Sequence, residues 1–125
     1  MDKAWEDANI VQVTLPLLGL MKCNRRLLPQ LTAAMNELRS RGLASLVRTY
    51  NGCYSPRMQV GNSYALSRHA FGIAVDINAG KNKYGETPRQ DPRLVAVMEK
   101  WGFVWGGRWL VPDGMHFEFV RFVNP

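Results

Sequence analysis

The chain has 125 residues, a length that suits one domain with a hydrophobic core. Hydrophobic residues make up 46% of it and charged residues 21%, a composition that excludes an intrinsically disordered chain. Sixteen Lys and Arg against ten Asp and Glu leave a net charge of +6, which suits a polyanionic partner. The basic residues are scattered, however, and form no polybasic tail.

The first half of the chain predicts an irregular or partly stranded segment followed by a helix. Residues 1–24 show no helical period. Over residues 30–41 apolar side chains recur at helical spacing, and Gly42 follows where a helix commonly ends. Residues 44–50 predict a short strand. Residues 53–68 are rich in Gly, Asn, Ser and Pro, which predicts a loop.

The second half predicts one helix among several strands. Asp91 suits an N-cap and Pro92 the first helical position, and Gly102 ends this second helix. The polar segment 79–90 predicts an exposed loop. Branched and aromatic residues predict strands over 72–78, 103–105 and 115–120. This order predicts an α+β fold with a small, mainly antiparallel sheet and flanking helices, in a single domain spanning residues 1–125.

The two cysteines, Cys23 and Cys53, are too few for a disulfide framework. They could remain buried thiols, form a single bridge or bind a metal. Thiols are the favoured state from the sequence.

The chain has two histidines, and a carboxylate accompanies each one. Asp76 follows His69 by seven residues inside an apolar strand, where a buried carboxylate is costly unless a cation compensates it. Asp113 precedes His116 by three residues. Glu118 lies two residues after His116, so both side chains should point to the same face of a sheet.

Two histidines and an aspartate form a plausible three-ligand zinc site that leaves a fourth position for water. Zinc lowers the pKa of such a water to about 7, so that it becomes a nucleophile at neutral pH. Asp113 could serve as general base, Arg57 could stabilise an oxyanion or grip a substrate carboxylate, and Glu118 could orient a ligand. Spacing alone is a weak signal, because the helical signature His-Glu-x-x-His is absent.

Two motifs resemble those of the M15 family of zinc D,D-peptidases. Residues 67–76, Ser-Arg-His-Ala-Phe-Gly-Ile-Ala-Val-Asp, resemble the family's Ser-x-His-x-x-Gly-x-Ala-x-Asp motif. Residues 113–118, Asp-Gly-Met-His-Phe-Glu, resemble its second motif, in which an acid lies three residues before the last zinc ligand. With Trp-Gly-Gly-Arg-Trp at 105–109, this ending is most similar to the branch of phage endolysins that cut L-alanyl-D-glutamate bonds. The motif-bearing part covers residues 45–120.

The resemblance implies a zinc peptidase that acts on peptidoglycan stem peptides, with an α+β fold shared with Hedgehog signalling domains. It implies one Zn²⁺ per chain, held by His69, Asp76 and His116. Asp113 would be the base, Arg57 would bind substrate, and Ser67 and Glu118 would support the ligands. The expected bond is L-Ala–D-Glu, with D-alanyl-D-alanine carboxypeptidase activity as the alternative. A monomer is expected, with neither a nucleic-acid partner nor insertion into a membrane.

Two departures from the family pattern affect this interpretation. The second acid is Asp113 and not the glutamate of the dipeptidase branch. This shorter side chain argues against membership of that branch. The separate wall-binding domain that many endolysins carry is also not seen. The apolar stretch 15–21 lacks the features of a signal peptide, so we expect action at the bacterial cell wall or periplasm by an export route that the sequence does not reveal.

Other classes of function use the same residues differently. A cysteine peptidase would pair Cys53 with a histidine and Asp113. A structural, non-catalytic zinc site would use Cys23 and Cys53 with both histidines. A wall-binding or nucleic-acid-binding module would use the basic charge and stack bases on aromatic residues. We expect Trp105 and Trp109 to be core residues first, with the walls of a groove as their alternative place.

Overall fold

The computed structural model describes residues 2–55 and 68–125, in which three helices accompany two antiparallel sheets. The helices are α1 (Lys3–Asn9), α2 (Leu28–Ser40) and α3 (Pro92–Lys100). The strands are β1 (Ile10–Leu15), β2 (Gly19–Asn24), β3 (Tyr50–Gly52), β4 (Ala74–Ile77), β5 (Phe103–Trp105) and β6 (His116–Phe119). Short 3₁₀ turns lie at Ala44–Leu46, Arg68–Phe71, Ala79–Lys81 and Gly106–Arg108. The predicted α+β class is confirmed.

The N-terminal segment is more regular than the sequence predicted. It forms α1 and then the β1–β2 hairpin, whose strands pair from Ile10↔Asn24 to Leu15↔Gly19. Helix α1 has only seven residues and buries none of them, so it leaves no apolar period to recognise. Its visible signal is Asp2, whose side chain accepts a hydrogen bond from the amide of Ala4 as an N-cap.

The four-stranded sheet has the order β3-β4-β6-β5, and all its pairs are antiparallel. Its register places Asp76 of β4 directly opposite His116 of β6. One step along the ladder Val75 faces Phe117, and both of these side chains belong to the hydrophobic core. Because successive side chains point to opposite faces, Asp76 and His116 lie on the face away from that core.

Helix α2 confirms its predicted period. Leu31, Ala34, Met35 and Leu38 are fully buried and pack in the core with residues of the hairpin, β4, α3 and β6. In the first turn of the same helix, Gln30 donates hydrogen bonds to the carbonyls of Trp101 and Arg121 at 2.6 and 2.9 Å. These bonds fix the end of α3 and the segment after β6 against α2.

Helix α3 begins and ends as predicted. The Asp91 side chain accepts a hydrogen bond from the amide of Arg93, and Pro92 is the first helical residue. Gly102 follows the helix with φ +95°, and a Cβ there would collide with the Arg121 carbonyl. Glycine is therefore required at this turn for both its conformation and its size.

The predicted strand over residues 44–50 is wrong for most of its length, because Asn78 provides other partners for this backbone. The Asn78 side chain accepts from the amides of Arg48 and Thr49 and donates to the carbonyl of Leu46. Residues 44–46 form a 3₁₀ turn, and only Tyr50 joins β3. The loop over residues 79–90 also differs in part from its prediction, since Asn82 and Gln90 are buried.

The two cysteines form a disulfide between β2 and the end of β3, so the favoured assignment as thiols is wrong. This bridge also removes the Cys53 nucleophile and the two sulfur ligands that two of the alternative functions required. No helix in the described part of the chain is long and apolar enough to cross a membrane.

Candidate metal centre

The structure brings His69, Asp76 and His116 together on the face of the sheet opposite the core. Asp76 and His116 come from neighbouring positions of β4 and β6, and His69 comes from the 3₁₀ turn just before β4. All three residues are buried. Antiparallel pairing therefore joins two motifs that lie 40 residues apart in the sequence.

Their donor atoms converge on Asp76. The Asp76 Oδ1 atom lies 3.1 Å from His69 Nε2 and 3.5 Å from His116 Nδ1. One donor atom from each residue falls within 4.8 Å of the others. The two imidazole rings meet edge to face at 5.2 Å between centroids. This compact set of two nitrogens and one oxygen could hold a single metal ion.

The other nitrogen of His69 is held by the backbone. Its Nδ1 lies 3.0 Å from the carbonyl oxygen of Cys53, a group that can only accept a hydrogen bond. We infer that Nδ1–H donates to this carbonyl, which assigns Nε2, the nitrogen that lies 3.1 Å from Asp76 Oδ1, as the atom that would bind a metal ion. The amide of Ser55 donates to the His69 carbonyl at 2.7 Å, so the segment after β3 holds this residue at two points.

His116 has a side-chain partner in the same role. Its Nε2 lies 2.8 Å from the Glu118 carboxylate, and Arg68 Nε lies 3.4 Å from the other oxygen of Glu118. A carboxylate that accepts from a ligating histidine fixes its tautomer and ring orientation and raises its basicity. The two ligand histidines are thus oriented by different means, one by a backbone carbonyl and the other by a carboxylate.

The electrostatics of the metal-free site follow from these contacts. Burial by itself would raise the pKa of Asp76, but hydrogen bonds from His116 and His69 outweigh it and hold that pKa well below its usual range. Burial would likewise lower the pKa of His116, but hydrogen bonds to Asp76 and Glu118 raise it to about 9. Asp76 is therefore a stable anion, and in the metal-free site the positive charge of protonated His116 compensates it.

The two tryptophans before β6 have different places. Trp105 packs on Phe117 at 6.4 Å between ring centroids and donates from its indole to the Gly114 carbonyl. Trp109 lies against the His116 ring, with centroids 5.4 Å apart. Trp105 thus supports the core, as expected, whereas Trp109 lies beside the metal centre.

Asp113 lies in the turn that leads into β6. Its amide donates to the Gly106 carbonyl at 2.8 Å, and its own carbonyl accepts from the amide of His116 at 3.1 Å. A Cβ at Gly106 would lie 2.6 Å from the Asp113 carbonyl oxygen, so only glycine allows this close approach. The backbone of Asp113 is therefore fixed relative to the ligand His116.

The other predicted site residues, Arg57 and Ser67, lie outside the described residues. The described residues beside the metal centre form an open pocket of about 250 Å³, lined by Asn51, Gly52, Tyr54, Ser55, His69 and Asp76. Arg68 and the Cys53 carbonyl, which support the ligands, were not predicted from the sequence. No pattern in the sequence marks a backbone acceptor, and Arg68 stands at an unspecified position of the first motif.

The donor set fits the zinc ion that the motifs imply. Histidine nitrogen and carboxylate oxygen are zinc ligands, three protein ligands leave a position open for catalysis, and each histidine has an acceptor on its second nitrogen. The same donors also suit other divalent transition metals, so the geometry defines a metal centre rather than one element.

Comparison with known proteins agrees with this geometry. Residues 61–119 match the M15 peptidase family model described as D-alanyl-D-alanine carboxypeptidase. No curated protein and no solved structure matches the chain. The matched segment contains all three residues of the metal centre together with Asp113. The part of the chain that carries the metal centre is thus similar to the M15 peptidases, and the two findings together support a zinc metallopeptidase.

Proposed function

We propose that this protein is a zinc-dependent hydrolase of the stem peptides of bacterial peptidoglycan, with one Zn²⁺ per chain. The observation that carries the proposal is the buried cluster of His69, Asp76 and His116, whose donor atoms lie within 4.8 Å of one another in a segment that matches a D-alanyl-D-alanine carboxypeptidase family model. Such a substrate places the enzyme at the bacterial cell wall or periplasm.

Each residue of the metal centre has a separate role in the proposed reaction. His69, Asp76 and His116 hold the metal, and Glu118 and the Cys53 carbonyl keep the two imidazoles in the ligating tautomer. A zinc ion held there would supply a water of lowered pKa and would polarise the scissile carbonyl. Asp113, fixed at the start of β6, would act as the general base and would deliver a proton to the leaving amine.

Arg57 completes the proposed machinery by its position in the family motif. A guanidinium that faces the scissile carbonyl stabilises the negative charge that develops on its oxygen. Ser67 is proposed to support the first motif rather than to attack the substrate, because the metal-activated water already provides the nucleophile.

For the bond, we propose the L-Ala–D-Glu linkage, cut as an endopeptidase. The described residues that line the open pocket beside the metal centre include no Lys or Arg to bind a terminal carboxylate. The ending His-Phe-Glu of the second motif supports the same choice. D-alanyl-D-alanine carboxypeptidase activity is the second candidate, and the description of the matching family model favours it.

Digestion of purified peptidoglycan tests the proposal, with products identified by mass spectrometry and zinc content measured in every sample. We expect wild type to release new amino termini, and Asp113→Ala to bind zinc but lose activity by about 10²-fold or more. Asp7→Ala, which removes an exposed aspartate on α1, is the matched control and should behave as wild type.

The products also identify the bond. Newly exposed D-Glu amino termini support the endopeptidase, and free D-Ala supports the carboxypeptidase. A zinc-loaded wild type that leaves the wall intact would show that the proposed function is wrong.

A further inference from the structure

A second pocket lies at the end of the β3–β4 ladder. It has a volume of about 370 Å³. Three cationic side chains line it, and we call it the basic pocket after them: Arg48, Lys81 and Arg89. Lys81 and Arg89 also line an adjoining depression of about 330 Å³, together with Glu86.

The cations of the basic pocket form no ion pair with other described residues. Arg48, Lys81 and Arg89 are exposed, and no ion pair of the described residues includes them. Asp91 also lines the pocket, but Arg93 binds both of its carboxylate oxygens at 3.0 and 2.8 Å. Uncompensated cations around a concave surface favour an anionic ligand.

The wall of the basic pocket is organised before any ligand binds. Asn78 has a left-handed backbone with φ 58°, and its side chain connects the segment before β3 to the buried Gln90. Gln90 in turn donates to the carbonyls of Ile77 at 2.6 Å and Gly114 at 3.1 Å. A rigid wall lowers the entropic cost of binding.

The same ladder connects the basic pocket to the metal centre. Asn78, in the pocket wall, donates from its amide to the Thr49 carbonyl, and the Asn51–Asp76 pair lies two residues farther along. Two residues of a strand span roughly 7 Å. Asn51 lines the pocket beside the metal, and Thr49 lines the basic pocket. An extended peptide that ran from the metal centre along this ladder would reach the basic pocket within two or three residues.

We propose that the basic pocket binds a carboxylate of the peptide substrate, two or three residues from the scissile bond. This inference rests on the proposed function, because it assigns the pocket to the same substrate. A guanidinium presents paired donors that match a carboxylate, and two of the three cations are arginines. The pocket would thus select acidic stem peptides over neutral ones of the same length.

Binding of two synthetic stem peptides tests this assignment: one with free internal carboxylates and one with those carboxylates amidated. Affinities are measured by calorimetry with zinc-loaded protein, and cleavage is followed separately. The pocket variant is R48Q/K81Q/R89Q. The control variant, K3Q/R25Q/R39Q, removes the same charge from exposed positions elsewhere. We expect wild type and control to bind the free peptide about tenfold tighter, and the pocket variant to lose this preference.

The outcomes separate the two proposals. Preferential binding without cleavage supports the pocket and rejects the hydrolytic function. Cleavage with no preference, a preference that persists in R48Q/K81Q/R89Q, or no binding of either peptide overturns the pocket assignment. If the pocket variant keeps the peptide preference but binds less well to cell walls rich in phosphate polymer, the basic pocket binds phosphate. That result would also overturn the assignment to a peptide carboxylate. If the triple variant does not fold, the three single variants and the peptide pair on wild type give the same test.

Discussion

Glu118 supports the metal centre through its contact with the ligand His116. It contacts His116 on one oxygen and faces Arg68 with the other, so it fixes the ring and polarises it without being one of the three clustered ligands. Removing an outer partner of this kind costs about 10- to 100-fold in metal affinity. The charge of Arg68 moderates the basicity that Glu118 confers on the histidine.

We expect Glu118→Ala to weaken zinc binding by about 10- to 100-fold while the protein stays folded. Competition with a chromophoric chelator measures the dissociation constant, and circular dichroism checks the fold. Glu86→Ala, which removes an exposed glutamate from the loop before α3, is the matched control. Equal zinc affinity in both variants would show that β6 positions His116 without help from Glu118.

The pKa of His116 predicts how zinc binding depends on pH. In the metal-free protein this pKa is raised from 6.5 to about 9 by Asp76 and Glu118, despite the opposing effect of burial. The protonated form therefore contributes stability that is complete below pH 6.5 and is lost as the pH rises through about 9. Zinc requires the neutral imidazole, so zinc affinity changes in the opposite direction.

We expect zinc affinity to rise by up to about tenfold per pH unit between pH 6.5 and 9, with release of a proton from His116. Competition with a chelator of known protonation constants measures it. Glu118→Ala should shift this dependence to lower pH, because one of the two groups that raise the pKa is gone. An affinity that stays constant over this range would contradict a protonated His116 in the metal-free site.

At the scale of elements, the sequence predicted what depends on local periods and on motifs. Helix α2, the start and end of α3 and the strands β4 to β6 follow from spacing and residue type. The cluster of both histidines with Asp76 was predicted from residue type together with the two motifs that resemble the M15 family. The strand predicted over residues 44–50 failed because its backbone bonds to a side chain 30 residues away, Asn78. Helix α1 was missed because it buries nothing.

The disulfide could not be predicted for a similar reason. Cys23 and Cys53 meet only because the end of β3 lies beside β2, where Cys53 and Tyr54 both donate to the Lys22 carbonyl. This long-range contact has no local signal in the sequence. It also fixes Cys53, whose carbonyl orients His69, against strand β2 of the hairpin.

We expect the double variant Cys23→Ala/Cys53→Ala to lose about 3 to 4 kcal/mol of unfolding free energy, since the bridge closes a loop of 30 residues. We also expect weaker zinc binding, because the carbonyl that accepts from His69 is no longer tied to β2. Denaturant unfolding and chelator competition measure the two effects. Wild type reduced with dithiothreitol should match the variant. Unchanged zinc affinity in both would show that strand pairing alone holds the Cys53 carbonyl.

In the molecule as a whole, the two faces of the four-stranded sheet are separated by role: one packs on the hydrophobic core and the other carries the metal centre. Val75 and Phe117 face a core built with α2 and α3, while the side chains paired beside them in the ladder form the metal centre on the other face. The core therefore does not need the metal to be complete. The basic pocket lies at the end of the β3–β4 ladder of the same sheet.

This separation predicts that removing the metal abolishes activity without unfolding the protein. Dialysis against a chelator should leave the far-ultraviolet circular dichroism of the helices unchanged. The metal-free protein should melt earlier, by an amount that corresponds to about 2.7 kcal/mol when free zinc is at 100 times its dissociation constant. Readdition of zinc should restore both the melting temperature and peptide hydrolysis, whereas magnesium, which prefers oxygen ligands, should restore neither. Loss of the helical signal on chelation would instead assign the metal a structural role, as in small zinc domains that fold only around their ion.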